Sequence, residues 1–281
     1  FEGFDFFALA QILPNIRHDM GISHAQAGVL VAVINIGSVL AYLLVRKADR
    51  WGRRRVLTVT IMGYTLFSLL TGLAPNVVVF GLCQLVARMF LIGEWAVAMI
   101  YAAEEYPADR RGMVIGVIQA CSSLGAITCA GVVPALLNTP LGWRSVYFVG
   151  AIPLLIIAFA RRNLRETTRF TEQVREHGIQ TTSLTRLLYT PYRGRMLKLA
   201  LIWGLTYTCT QTSIVFWKEF AVGERGMTDG QVGLSMTVAA VVSLPLLFMS
   251  GKLIDVIGRR RGALIIFTVT ALGVFLAYTL T

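Results

Sequence analysis

Apolar residues neither alternate nor recur in narrow stripes along this chain. They run in long blocks separated by short polar clusters, and nine such blocks can be drawn, over 1–16, 24–45, 56–74, 77–103, 113–137, 144–160, 197–220, 229–251 and 263–281. A bilayer's hydrocarbon layer is roughly 30 Å thick, so a helix crossing it needs about 20 mostly apolar residues. Backbone N–H and C=O groups find no water there and must bond one another, which restricts spanning structures to helices and closed barrels. Barrel strands are blocks of roughly ten alternating residues, far shorter than these runs. The pattern therefore predicts an all-α, polytopic membrane protein. One long connection breaks the rhythm: residues 161–196 are polar and basic and predict a cytoplasmic linker, partly helical on the membrane surface.

Composition agrees. The chain is 56% hydrophobic and 15% charged, where a soluble domain carries about 25% charged residues. The net charge of +11 would on a soluble protein suggest nucleic acid. Placing the 26 Lys and Arg on the topology removes that class. Twenty-one fall in 46–55, 106–112, 161–198 and 252–261, which the alternation of helices puts on one side. Arg17, Arg144, Lys218 and Arg225 fall on the other, and Arg88 lies inside a helix. An excess of this kind marks the cytoplasmic side, so the N-terminus and the linker are expected there, in an inner membrane. Cys83, Cys121, Cys129 and Cys209 sit in apolar runs without metal or redox spacing and read as packing residues. The chain opens on Phe1 within an apolar run and closes within another, so it reads as a fragment.

An internal repeat divides the chain. Ser23-His-Ala-Gln26-Ala-Gly28 opens the second block and Thr228-Asp-Gly-Gln231-Val-Gly233 the eighth, and Ser23 and Thr228 are both helix-capping residues. The same two blocks end on Asp49-Arg50-Trp51-Gly52-Arg53-Arg54-Arg55 and on Asp255-Val256-Ile257-Gly258-Arg259-Arg260-Arg261. The offset is 205 residues at the openings and 206 at the ends. The expected organisation is a six-helix bundle over 1–160, the linker over 161–196, and the first three helices of a second bundle over 197–281. Parallel repeats about an axis along the membrane normal are a transporter plan.

With these motifs in view the chain resembles the major facilitator superfamily. Gly251-Lys-Leu253-Ile-Asp255-Val-Ile-Gly258-Arg259-Arg260 is similar to that family's loop motif, and the earlier copy differs by Val45 and Lys47. Gly93-Glu94-Trp95, with Glu104-Glu105-Tyr106-Pro107 and Arg110-Arg111-Gly112, resembles its metabolite–proton symporters and, more distantly, its sugar porters. Glu2-Gly3-Phe4-Asp5 is similar to a first-helix motif of aromatic-acid carriers. Gln84 stands where those relatives carry Arg, with Arg88 one turn on. The resemblance implies a cytoplasmic gate that locks in one state and breaks in the other. Its residues would be Asp49, Arg50, Gly52, Arg53, Arg54, Glu104, Glu105, Arg111, Asp255, Gly258, Arg259 and Arg260. Asp49 is expected to meet the positive N-terminal end of a facing helix.

Charges within the hydrocarbon layer are functional candidates, because each costs about 2.5–3.5 kcal/mol or more there. Asp5 lies near mid-helix, with Glu2 and Glu94 as further acidic candidates for proton coupling. Burial favours a neutral carboxylic acid and a nearby arginine favours the carboxylate, so a site alternating between the two would take up and release a proton. On the fourth block Gln84, Arg88, Trp95 and Ala102 share a face at about 100° per residue, expected to look onto a central cavity. Arg88 suits a carboxylate, either the substrate's or that of Asp5. Trp203, Tyr207, Thr210, Gln211 and Trp217 form a second stripe on the seventh block, and Gln119 is a weaker candidate. No catalytic constellation, metal-ligand spacing or nucleotide loop is present, so neither an enzyme nor a cofactor is expected. The expected function is proton-coupled symport of a small organic anion by a monomer, with the solute, protons and the bilayer as its partners. A sugar or polyol porter of the same fold and a solute sensor that does not transport stay open as alternatives.

Overall fold

A computed structural model describes residues 2–160, 165–178, 191 and 193–279; within them the side chains at 2, 108–113, 115, 116, 157, 158, 160, 173, 177, 211, 244, 247–255 and 259 are not described. Among the described residues the secondary structure is helical throughout. The helices are α1 (Glu2–Met20), α2 (His24–Trp51), α3 (Arg53–Gly72), α4 (Val77–Glu105), α5 (Ala108–Leu137), α6 (Arg144–Ala160), α7 (Thr168–His177), α8 (Arg193–Gly223), α9 (Asp229–Ile257) and α10 (Arg259–Thr279). Six of them, α2, α3, α4, α5, α8 and α10, are long and apolar enough to cross a membrane, and α6 carries a shorter apolar stretch over Arg144–Ile156. Nine apolar runs were expected from the sequence; all nine fall on helices, and α7 adds a short polar helix in the linker.

The helices start and stop where their local chemistry directs. Ser23 and Gln26 exchange side-chain and backbone hydrogen bonds at 2.8 and 3.2 Å, closing the free N–H groups at the start of α2. Thr228 and Gln231 repeat the exchange at α9, at 2.9 and 3.3 Å. Gly52 breaks α2 from α3 with φ +90°, and Gly258 breaks α9 from α10 with φ +87°. Both lie in left-handed space that side chains rarely enter.

α4 packs against α2 and α3, α1 against α5, and α3 against α6. The closest crossings are made by glycines. A Cβ at Gly125 would stand 2.8 Å from the Phe4 backbone nitrogen, and one at Gly3 would overlap the Ser122 carbonyl. α1 and α5 therefore meet backbone to backbone. The largest buried cluster joins Phe4, Leu9, Ile12, Leu13 and Ile16 of α1 to Cys129 and Val133 of α5, with Val215 and Phe216 of α8 packed against it. α8 and α9 reach the first six helices through α1 and α5 respectively.

Candidate functional site

The Gly3 crossing presents the rest of the first-helix motif to the neighbouring helices. The Asp5 Oδ1 atom lies 3.1 Å from where a Cβ of Gly150 on α6 would sit, a tight approach that a side chain there would crowd. Tyr64 of α3 turns its hydroxyl toward Asp5 and Ser68. Arg88 of α4, 8% exposed, lays its guanidinium 4.8 Å from the Phe6 ring centre. Its electrostatic neighbours are Tyr207, Tyr64, Tyr147 and Asp5. Glu94 also acts on Asp5. Asp5 Oδ2, Arg88 Nη1, Tyr147 hydroxyl and Ser68 Oγ are shut off from solvent without a hydrogen-bond partner. Buried polar atoms are nearly always paired, so four of them drawn from α1, α3, α4 and α6 mark a place where the protein holds back interactions.

The remaining candidates spread out. Gln84 is buried, and its Nε2 donates to Thr71 Oγ1 of α3 at 3.2 Å. Arg88, one turn further along α4, is buried as well. Trp95 is half-buried and Gln119 exposed. Trp203 and Tyr207 stand 61% and 40% exposed on α8, and Tyr207 alone of that stripe interacts with Arg88. The Glu2 and Gln211 side chains lie outside the described residues, as do those of Arg111, Asp255 and Arg259.

At the corner where Gly52 turns the chain from α2 into α3, Arg53 is buried and central. Its Nη2 reaches Glu104 at 2.8 Å and Asp49 at 3.2 Å, and its Nη1 donates to the Ala48 carbonyl at 3.1 Å. The helix N-terminus at this corner belongs to α3, and Glu166 of the linker holds it instead of Asp49. One Glu166 carboxylate oxygen accepts the Arg53 N–H at 2.8 Å, and the carboxylate accepts the Arg54 N–H at 3.2 Å. The preference is physical, since a carboxylate fits the free N–H groups and positive dipole of a first turn. Thr167 Oγ1 donates to Glu104 at 2.8 Å, the Thr168 N–H to Glu105 at 3.3 Å, and Phe170 lies 4.9 Å beneath the Arg53 guanidinium. A Cβ on Gly52 would strike the Glu166 carboxylate. Arg50 and Arg260 are exposed. Sequence reasoning missed Tyr64, Tyr147 and Glu166. No local pattern marks the two tyrosines, whereas Glu166 stands directly before Thr167, the N-cap of α7.

The Major Facilitator Superfamily model matches residues 1–281. The chain belongs to the major facilitator superfamily. This facilitator is 30% identical over 287 residues to a protein of Cupriavidus pinatubonensis named "Probable 4-methylmuconolactone transporter", covering 99% of this chain and 65% of that one. It is 28% identical over 173 residues to the sialic acid transporter NanX of Escherichia coli, covering 61% and 42% respectively. A putative metabolite transport protein of Haemophilus influenzae is 28% identical over 94% of the chain, which spans 67% of it. The chain thus spans about two thirds or less of the curated relatives it matches. Its fold matches the crystal structure of a D-xylose-proton symporter with a TM-score of 0.68 at 16% identity, over 90% of this facilitator and 66% of that chain.

Proposed function

We propose that this facilitator carries a small organic anion together with a proton, opening a buried site to one side of the membrane at a time. One observation carries the reading: Asp5 and Arg88 sit within electrostatic reach of each other inside the helix bundle, each with a polar atom left unpartnered. A protonated Asp5 no longer competes for the Arg88 guanidinium, which is then available to a substrate carboxylate. Loss of the proton returns Arg88 to Asp5 and weakens the substrate's hold. Guanidinium suits this exchange because it keeps its charge and offers paired N–H groups to either carboxylate. The relatives named for methylmuconolactone, sialic acid and cis,cis-muconate transport support an acidic solute. In this reading 1–160 and 197–281 belong to two bundles joined by the linker, and Asp49, Arg53, Glu104 and their repeat counterparts gate the cytoplasmic side.

Uptake by the reconstituted full-length protein, with and without a pH gradient, tests the proposal against a panel of aromatic and aliphatic acids, sugars and polyols. Gradient-driven accumulation of an acid is expected, and Asp5→Asn is expected to abolish it. Undiminished accumulation in Asp5→Asn would discard the proton role. A second reading, a neutral polyol or sugar as the solute, is favoured by 28% identity to a polyol transporter named in Arabidopsis thaliana, and the same panel decides it. Binding without flux would make the protein a sensor.

A further inference from the structure

Arg17 and Lys218 were read from sequence only as topology charges, and the site above uses neither them nor their partners Glu219 and Asp229. Near its end α8 carries Lys218 and Glu219 side by side, and their side chains diverge to different helices. Lys218 is 1% exposed. Its ammonium meets Asp229 Oδ1 at the start of α9 at 2.7 Å and donates to the Gln11 carbonyl of α1. Glu219, 9% exposed, accepts from Arg17 Nε of α1 at 2.5 Å and faces His24 Nδ1 of α2 at 3.2 Å. Gln11 is held a second time, its Nε2 lying 2.6 Å from Met236 Sδ of α9. The Lys218–Asp229 pair joins α8 to α9, and the other contacts run between the first two helices and that pair. A buried ammonium or carboxylate separated from its partner carries a heavy desolvation penalty. α1 therefore leaves α8 only if Glu219 finds water or new partners, while Lys218, still paired with Asp229, gives up the Gln11 carbonyl.

We propose that Lys218 and Glu219 form the outer lock of this facilitator, two adjacent positioning residues that hold α1 to α8 and α9 and close the route from outside to Asp5. The proposal rests on the transport reading given above, but the lock has its own readout. Adjacent residues on a helix point about 100° apart, so one turn of α8 grips α1 from two directions. A single pair would leave α1 free to pivot. Lys218 also shields the cluster beneath it, where Cys129 is fully buried against α1.

The test uses the full-length protein with its native cysteines, Cys83, Cys121, Cys129 and Cys209 among them, replaced by alanine, and spin labels at His18→Cys and Glu224→Cys, two exposed positions at the outer ends of α1 and α8. Lys218→Met, and separately the pair Arg17→Gln with Glu219→Gln, should each raise the population at longer separations at least threefold. Distances unchanged in both variants would overturn the lock. In a second arm Arg17→Cys and Glu219→Cys are joined by a cleavable bis-maleimide, which needs no native charge for folding. Cross-linking should lower uptake at least tenfold, and cleavage should restore it. A cross-linked protein that transports like the cleaved one overturns the lock. Lengthened distances in a protein that moves no solute on the panel would support the lock and overturn the transport reading.

Discussion

The two ends of the molecule are both rich in ion pairs, but they join different things. At the end that holds the Gly52 turn, Arg53 ties α3 to Asp49 of α2 and Glu104 of α4, and Glu166 ties the linker to the start of α3. Those contacts stay within the helices before the linker and the linker itself. At the outer end Arg17 and His24 meet Glu219, and Gln11 meets Lys218, across the division between the helices before and after the linker. Charge at the inner end therefore shapes one group of helices, while charge at the outer end holds two groups together. Similar residues thus act within one group of helices at one end and between two groups at the other. What distinguishes them is which backbone carries the partner.

The sharpest way to break this contrast is at Arg53. Arg53→Gln leaves Glu104 and Asp49 unpaired in a corner where the Arg53 side chain is 7% exposed and that of Glu104 18%. Loss of one member of a buried pair costs about 3 kcal/mol or more. A clear drop in the unfolding temperature of the purified full-length protein is expected, whereas charge reversal at Asp49, whose side chain is 58% exposed, should cripple transport and leave expression intact. An unfolding temperature unchanged in Arg53→Gln would show that the inner cluster contributes no cohesion.

The repeated glycines give a finer comparison. Gly52→Ala must force a side chain into a conformation that costs roughly 1–3 kcal/mol, and it also strikes the Glu166 carboxylate. At Gly258→Ala only the conformational cost is expected, because nothing among the described residues lies within 4 Å of its Cβ position. Gly52→Ala should therefore lower the unfolding temperature more. Equal losses would mean that Glu166 moves aside without consequence.

The smallest effect belongs to Asp19, beyond the apolar part of α1 at the outer end. The Trp143 indole N–H and the Arg144 guanidinium, each at 2.9 Å, hold its carboxyl below the ordinary carboxylate range. A group held lower in the folded state stabilises it above the unfolded value, near 4. That contribution fades as pH falls through the folded value. With the Asp19 side chain 48% exposed, the gain is under about 1 kcal/mol. Wild type should exceed Asp19→Asn slightly in unfolding temperature at pH 7 and lose the margin on acidification. A margin that grows in acid would exclude this pairing.

Much of this arrangement was legible in the chain. The repeat predicted matching helix starts at Ser23 and Thr228 and glycine breaks at 52 and 258, because caps and turns are local chemistry. Asp5 and Arg88 stood out because charge is scarce in apolar runs. Sequence could not say which neighbour a helix face would meet, so the bond from Gln84 to Thr71 was not foreseen. The hydroxyls of Tyr64 and Tyr147 look like any aromatic packing until the helices are assembled. Glu166 and Lys218 were hidden for another reason: their partners lie more than a hundred residues away, at Arg53 and Gln11.

The 29 residues of α4 contain no proline. Arg88 near its middle and Glu104 at its inner end are thus mounted on one stiff beam, about 24 Å apart along the axis at 1.5 Å per residue. A few degrees of tilt at the charged centre becomes an ångström or more of travel at the rim. On the proposed reading, a change of charge beside Arg88 acts as leverage on the cluster around Glu104, with no chain of intermediaries between them.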